Sequence, residues 1–179
     1  RRLLFEGIVL SLHHEHFMNL ALEQAHVAAQ HGDVPVGAVL VREGNIVAFG
    51  HNRREIDGDP TAHAEIVALR SAAKDQGHWR LDGTTLYVTM EPCAMCAGAL
   101  VNARIQTLVF GTLDAKAGAC GSLMNICQDS RLNHRLVIAS GILQKESSNI
   151  LKEFFRLRRE QKRLVRELKR NDGSQIDGN

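Results

Sequence analysis

The sequence carries His63 and Glu65 in the run T-A-H-A-E and, further on, Cys93 and Cys96 in the run E-P-C-A-M-C. One imidazole and two thiols are good zinc ligands. Catalytic zinc sites commonly use three protein ligands and leave a fourth position for water. A fourth ligand from Glu65 would close that position, so its carboxylate is assigned to proton transfer, as base toward water and acid toward the leaving group. Two thiolates and a neutral imidazole leave Zn²⁺ with no net ligand-sphere charge. A bound water then ionises near neutral pH and supplies hydroxide as nucleophile. The expected cofactor is one zinc ion per subunit, and the expected chemistry is hydrolytic.

The spacing says where these residues must sit. Positions two apart in a helix lie about 200° around its axis, so His63 and Glu65 share a site only at a helix start. Asp59 is a good N-cap and Pro60 suits a first helical position, which predicts a helix from there to about Lys74. Cys93 and Cys96, three apart, face the same way, and Glu91-Pro92 predicts a second helix reaching about Asn102. Two helix N-termini aimed at one metal would also lower the thiol pKa values. The competing readings of Cys-x-x-Cys are structural zinc or a redox pair. Structural zinc normally shows a second close pair, which Cys120 and Cys127, seven apart, do not provide. A redox pair has no need of His-x-Glu.

The elements that must position these residues follow from periodicity. Phe17, Leu20, Ala21, Ala25 and Ala28 recur at helical spacing over 14–30, with Gly32 as the stop. Val36–Val41 and Ile46–Phe49 flank Glu43-Gly44-Asn45 as a β-hairpin. Strands are predicted at Thr84–Thr89, Thr107–Phe110 and Leu136–Ala139, with a Gly- and Ala-rich loop over 111–121. A long helix starts near Leu143, apolar through Ile150, Leu151, Phe154 and Phe155, then mostly basic. Strands alternating with helices imply a three-layer α/β domain, and the hairpin makes its sheet mixed. One domain is expected over 13–170, with a disordered tail at 171–179. Residues 1–12 read as an N-terminal extension. Arg1-Arg2 before an apolar run is faintly like a signal peptide, but no small-residue cleavage site follows and Glu6 interrupts the run. An upstream extension or a trimmed terminus is expected instead.

A chain of 179 residues fits one domain with a full core. Aromatics are only 4%, so that core is expected to be aliphatic. Two of four cysteines have metal spacing, which favours a reducing compartment. No apolar run reaches membrane-spanning length. The net charge of +2 hides an asymmetry, because residues 151–170 hold nine Lys/Arg against three Glu. That segment is either a solvated helix face or an arm following a phosphate backbone.

Longer stretches carry a resemblance: V-P-V-G-A-V-L-V at 34–41, D-P-T-A-H-A-E-I at 59–66, L-Y-V-T-M-E-P-C-A-M-C-A-G-A at 86–99 and V-F-G-T-L-D-A-K-A-G-A-C-G-S-L at 109–123. With N-H-R at 133–135 and F-F-R-L-R-R at 154–159, the similarity runs from about 14 to 165. The chain resembles the bacterial tRNA-specific adenosine deaminases of the cytidine deaminase-like superfamily, whose zinc enzymes share H-x-E and P-C-x-x-C. The resemblance implies a three-layer α/β/α cytidine deaminase-like fold with a mixed five-stranded sheet. It implies hydrolysis of the wobble adenosine of a tRNA anticodon to inosine, by a cytoplasmic homodimer without membrane association. By position, His63, Cys93 and Cys96 match zinc ligands and Glu65 the proton shuttle. Asn52, Asp114, Lys116, Arg158 and Arg159 match contacts to the tRNA anticodon stem-loop. Each of these five has a plainer reading: Asn52 closing a turn, Asp114 capping a loop, Lys116 solvated, the Arg pair forming a polar helix side. Two other functions share the zinc residues, namely a free-base or nucleotide deaminase and a non-catalytic zinc-containing RNA-binding module. Cys120 departs from the family's small apolar residue and either packs as a small hydrophobe or reaches the site as an extra ligand. Cys127 is expected to be buried and inert. The His-rich run at 13–16 reads as a solvated terminus or an adventitious metal binder.

Overall fold

Glu43 and Gly44 both adopt positive φ, 50° and 76°. This two-residue turn matches the twist of antiparallel strands and folds β1 (Gly37–Arg42) back on β2 (Asn45–His51). The structure is a computed structural model that describes the backbone of residues 2–173 and the side chains of 12–170. Three further strands, β3 (Thr84–Met90), β4 (Thr107–Thr112) and β5 (Val137–Ser140), complete a sheet of order β2-β1-β3-β4-β5. β1 is antiparallel to both β2 and β3, whereas β3, β4 and β5 are mutually parallel. Every strand except β1 therefore points the same way, and their carboxyl ends share one edge of the sheet.

Helices cover both faces, giving the expected α/β/α layers around a mixed five-stranded sheet. α1 (Arg2–Gln30) and α5 (Gln144–Gly173) lie on one side, α3 (Ala64–Gln76) and α4 (Ala94–Asn102) on the other. A four-residue helix, α2 (Arg54–Asp57), follows β2, and a short 3₁₀ turn spans Ile126–Gln128. Strand alternation divides the core. Leu86, Val88, Leu108 and Phe110 face α3 and α4, while Tyr87 and Val109 face Phe17 and Met18 of α1. Burial on both faces explains the consecutive apolar residues Leu86–Val88 in β3 and Leu108–Phe110 in β4.

Several expected boundaries move. α1 begins well before residue 14, at Arg2, and the reading of 1–12 as an extension falls largely outside the described side chains. α5 continues to Gly173, so three residues of the expected tail are helical; residues 174–179 lie outside the described residues. α3 starts at Ala64, four residues after Pro60. The reason is local: Asp59 Oδ1 accepts both the amide and the hydroxyl of Thr61 at 2.7 Å. That turn competes with helix formation, and extended His63 (φ −73°, ψ 153°) becomes the N-cap. α4 likewise starts at Ala94 behind extended Cys93 (ψ 174°), because the Glu91 amide still bonds Thr112 O across the sheet at 2.8 Å.

Close approach of β2 to α3 requires Gly50. A Cβ there would stand 2.1 Å from Ala64 O and 2.7 Å from Ala68 N, both backbone atoms of the helix start. Gly50→Ala is expected to cost about 1–3 kcal/mol through overpacking and to lower Tm by several degrees, at ~2–4 °C per kcal/mol. Thermal unfolding followed by circular dichroism checks this; an unchanged midpoint would contradict the packing described.

Candidate metal centre and cleft

The chain leaves the common edge of the sheet three times near one point. After β2 it passes Asn52 and α2 to reach the start of α3. After β3 it passes Glu91-Pro92 to the start of α4, and after β4 it enters the loop around Asp114. His63 is the N-cap of α3 and Cys93 the N-cap of α4, with Cys96 in the first turn of α4. The ligand atoms of these three residues all lie within 4.8 Å of one another, and they form the only such group among the described residues. Sulfur and nitrogen ligands at about 2.3 and 2.0 Å on tetrahedral axes stand about 3.5 Å apart. His63 Nδ1 lies 3.5 Å from Cys96 Sγ and 3.7 Å from Cys93 Sγ. The donor set therefore fits a tetrahedral metal ion.

The protonation pattern belongs to a tightly coupled cluster. Cys96 and then His63 hydrogen-bond to Cys93 and bring its thiol down to about 3. The neighbouring Cys93 sulfur, together with burial, pushes Cys96 up, and the bond to Cys93 raises His63. Both thiols also sit at helix N-termini, where partial positive charge favours thiolate. Glu65, the second residue of α3, is 4% exposed. Burial pushes its carboxyl above the usual range.

His63, Glu65, Cys93, Asn52 and Asp114 line one open cleft of about 230 Å³, joined by Val34, Val36 and Arg54. Asn52 is 6% exposed; its Nδ2 donates to Val34 O at 3.1 Å, while its Oδ1 has no partner among the described residues. Asp114 Oδ1 accepts the Lys116 amide at 2.9 Å, so the loop-capping reading holds for this oxygen. Lys116 is exposed on the same loop and does not line the cleft. Arg158 stands over the Phe154 ring and 3.9 Å from Glu55 of α2, close to the rim; Arg159 is exposed.

Cys120 does not join the metal set. Its sulfur lies 3.5 Å from that of Cys127, and both are buried. Of the His-rich run, His14 is tied into the fold by Nδ1 at 2.9 Å from the Tyr87 hydroxyl. Three residues at or beside the cleft were not singled out by sequence reasoning. Asp33 is fully buried and accepts the Glu55 amide at 2.7 Å and the Ile56 amide at 3.3 Å, which anchors α2. Arg54, carried by that helix, lines the cleft. Glu91 lines it as well and accepts from Asp114, Cys120 and Ser122. Burial alone would raise the Glu91 carboxyl, but the Ser122 hydroxyl and three backbone amides outweigh it and hold the group below its usual range. Hydrogen bonds to a charged group are worth about 1.5–3 kcal/mol each. The only sequence cue to Glu91 was its place ahead of Pro92-Cys93.

Comparison with known proteins agrees with this geometry. The sequence pattern of the MafB19-like deaminases matches residues 12–159. The tRNA-specific adenosine deaminase of Bacillus subtilis is 47% identical over 152 residues, covering 85% of this chain and 94% of that protein. The one from Haemophilus influenzae is 49% identical over 155 residues, covering 86% and 90%. A structure from a study of A-to-I editing by tRNA:A34 deaminases at the wobble position aligns with a TM-score of 0.74 at 44% identity, covering 76% of this chain and 99% of that one. A Bacillus subtilis guanine deaminase aligns with a TM-score of 0.55 at 39% identity, covering 61% and 70%.

The donor geometry predicts about one tightly held transition-metal ion per chain. His63→Ala and Cys96→Ala are each expected to bring the content close to zero after gel filtration, read by plasma mass spectrometry. Full metal retention in either variant would exclude that residue as a ligand.

Proposed function

Because the chain belongs to the family of tRNA-specific adenosine deaminases, we propose that it hydrolyses the wobble adenosine of a tRNA anticodon to inosine and releases ammonia. The observation that carries this reading is one open cleft lined by His63 and Cys93 of the His/Cys/Cys donor set, by buried Glu65 and by Asn52, whose Oδ1 has no partner among the described residues. Zinc held by His63, Cys93 and Cys96 would supply a Lewis acid that ionises water near neutral pH.

The remaining work falls to side chains of the chain itself. Glu65, raised by burial, is suited to both halves of a proton shuttle, since it takes a proton from the attacking water and returns protons to the ring nitrogen and the departing amine. Asn52 Oδ1 is a fixed acceptor, because Nδ2 is committed to Val34 O; it would take a hydrogen bond from the nucleoside. Asp114 and Lys116 lie on the loop that borders the cleft and would meet the nucleotides flanking the extruded base. A base must leave its stack to reach the metal, and a splayed anticodon loop makes that inexpensive.

Arg158 and Arg159 open the basic part of α5. Arg156 is occupied by Glu153 and Glu160, and Arg163 by Glu167, whereas no ion pair engages Arg159, Lys162 or Arg166 among the described residues. That unneutralised set suits a phosphate backbone better than a self-paired surface. The family reading extends to a cytoplasmic homodimer. Leu113, Leu123 and Met124 are each about half exposed in the segment after β4, where a second subunit would cover them.

Glu65→Ala is expected to keep the metal and the fold while losing at least about 10²–10⁴ in turnover, measured as inosine formed in a tRNA with adenosine at the wobble position. Free guanine serves as the competing substrate. Ammonia from guanine with no inosine in tRNA would favour the free-base reading, and full activity in Glu65→Ala would defeat the proton-shuttle assignment. In the double variant Arg158→Ala/Arg159→Ala, KM for tRNA is expected to rise, and its log–log salt slope to become shallower by about 1–2. An unchanged slope would leave these residues as ordinary surface charge.

A further inference from the structure

Glu91 is a second buried carboxylate beside the donor set, 3% exposed, and it is not one of the three grouped donors. Its donors all come from one loop. Oε2 accepts the Asp114 amide at 2.9 Å and the Ser122 hydroxyl, and Oε1 accepts the amides of Cys120 and Ser122, each at 3.0 Å. Gly118 closes the remaining side. A Cβ there would stand 2.3 Å from Oε2 and 2.4 Å from the carboxyl carbon, so only glycine lets the loop wrap so closely. The same loop is tied to the metal-bearing segment through its backbone. Cys93 and Gly118 form an isolated β-bridge, and the Ala119 amide donates to Pro92 O at 2.9 Å. Glu91 thus lies two residues from Cys93 in sequence and one hydrogen bond from Asp114, and all three line the cleft.

We propose that Glu91 is a positioning residue that sets the 114–122 loop at a fixed distance from the metal-bearing segment, and so fixes where the target nucleotide rests against Glu65. This rests on reading the cleft as the nucleotide site. A carboxylate suits the task because it only accepts, with about four lone-pair directions for four donors. Glutamine would turn an NH₂ group toward some of those donors, and aspartate is one methylene too short to span the gap.

The purified metal-loaded chain and its Glu91→Gln and Ser122→Ala variants are compared by metal content, hydrogen exchange of the 114–122 amides, and steady-state kinetics on wobble-adenosine tRNA. In Glu91→Gln the metal content is expected to hold, loop exchange to accelerate, and KM to rise by about tenfold or more while kcat falls less. Ser122→Ala, which removes one of the four bonds, should show the same pattern more weakly, and it decides the matter if Glu91→Gln does not fold. Unchanged loop exchange overturns the proposal whatever the activity, as does a loosened loop with unchanged KM. If the wild-type chain forms no inosine in tRNA, the functional reading fails separately and the exchange result alone judges the positioning role.

Discussion

Three donor atoms held within 4.8 Å of one another are a demanding arrangement for a folded chain. Two sulfurs and an imidazole must be brought together from two segments thirty residues apart, His63 to Cys93. The fold meets the demand by placing two helix starts at one edge of a sheet whose strands, β1 apart, run in the same direction. The partial charge of each helix start then works with the thiols. Extended backbone at the His63 N-cap lets His63 and Glu65, which would diverge in a continuous helix, turn toward the same point. Gly50 lets α3 approach β2, and the direct passage from β3 through Glu91-Pro92 fixes α4.

Two glutamates near this point show how environment divides one residue type. Glu65 and Glu91 are both nearly fully buried. Glu65 has few donors, so burial dominates and its carboxyl is raised. Glu91 gathers three amides and a hydroxyl, so hydrogen bonding dominates and its carboxyl is lowered. A raised acid is ready to exchange protons; a lowered one is a permanent acceptor around which backbone can be arranged. The two environments thus suit one carboxylate to proton exchange and the other to holding a loop, and both line the same cleft.

Much of this was legible in sequence because it depends on local chemistry. His-x-Glu and Pro-Cys-x-x-Cys mark the donor set, and the two-residue spacing of His63 and Glu65 requires a helix start. The hairpin, the remaining strands and the mixed sheet followed from apolar runs and turn residues. What escaped was nonlocal or competitive. Asp59 looked like a helix cap, but it closes its turn on Thr61, and nothing in the sequence ranks those two uses of an aspartate side chain. Asp33 and Glu91 look like ordinary surface acids until the fold wraps amides from distant residues around them. Cys120 and Cys127, too far apart in sequence for a metal pair, meet only because the loop folds back.

The arrangement also explains why reaction type and substrate choice are separable. The donor set and Glu65 belong to helix starts locked into the sheet, where small displacements would spoil ligand geometry. Asp114 and Lys116 sit on a loop held from outside the metal set by Glu91, Arg54 on a short helix held by Asp33, and Arg158 on a helix that packs elsewhere. A cleft of about 230 Å³ offers no room for a base still stacked in a duplex. On the proposed function, the rim would then meet the flanking nucleotides and backbone, while the cleft takes the base alone. A tRNA:A34 deaminase structure and a guanine deaminase structure both align with this chain, so one architecture accommodates different substrates.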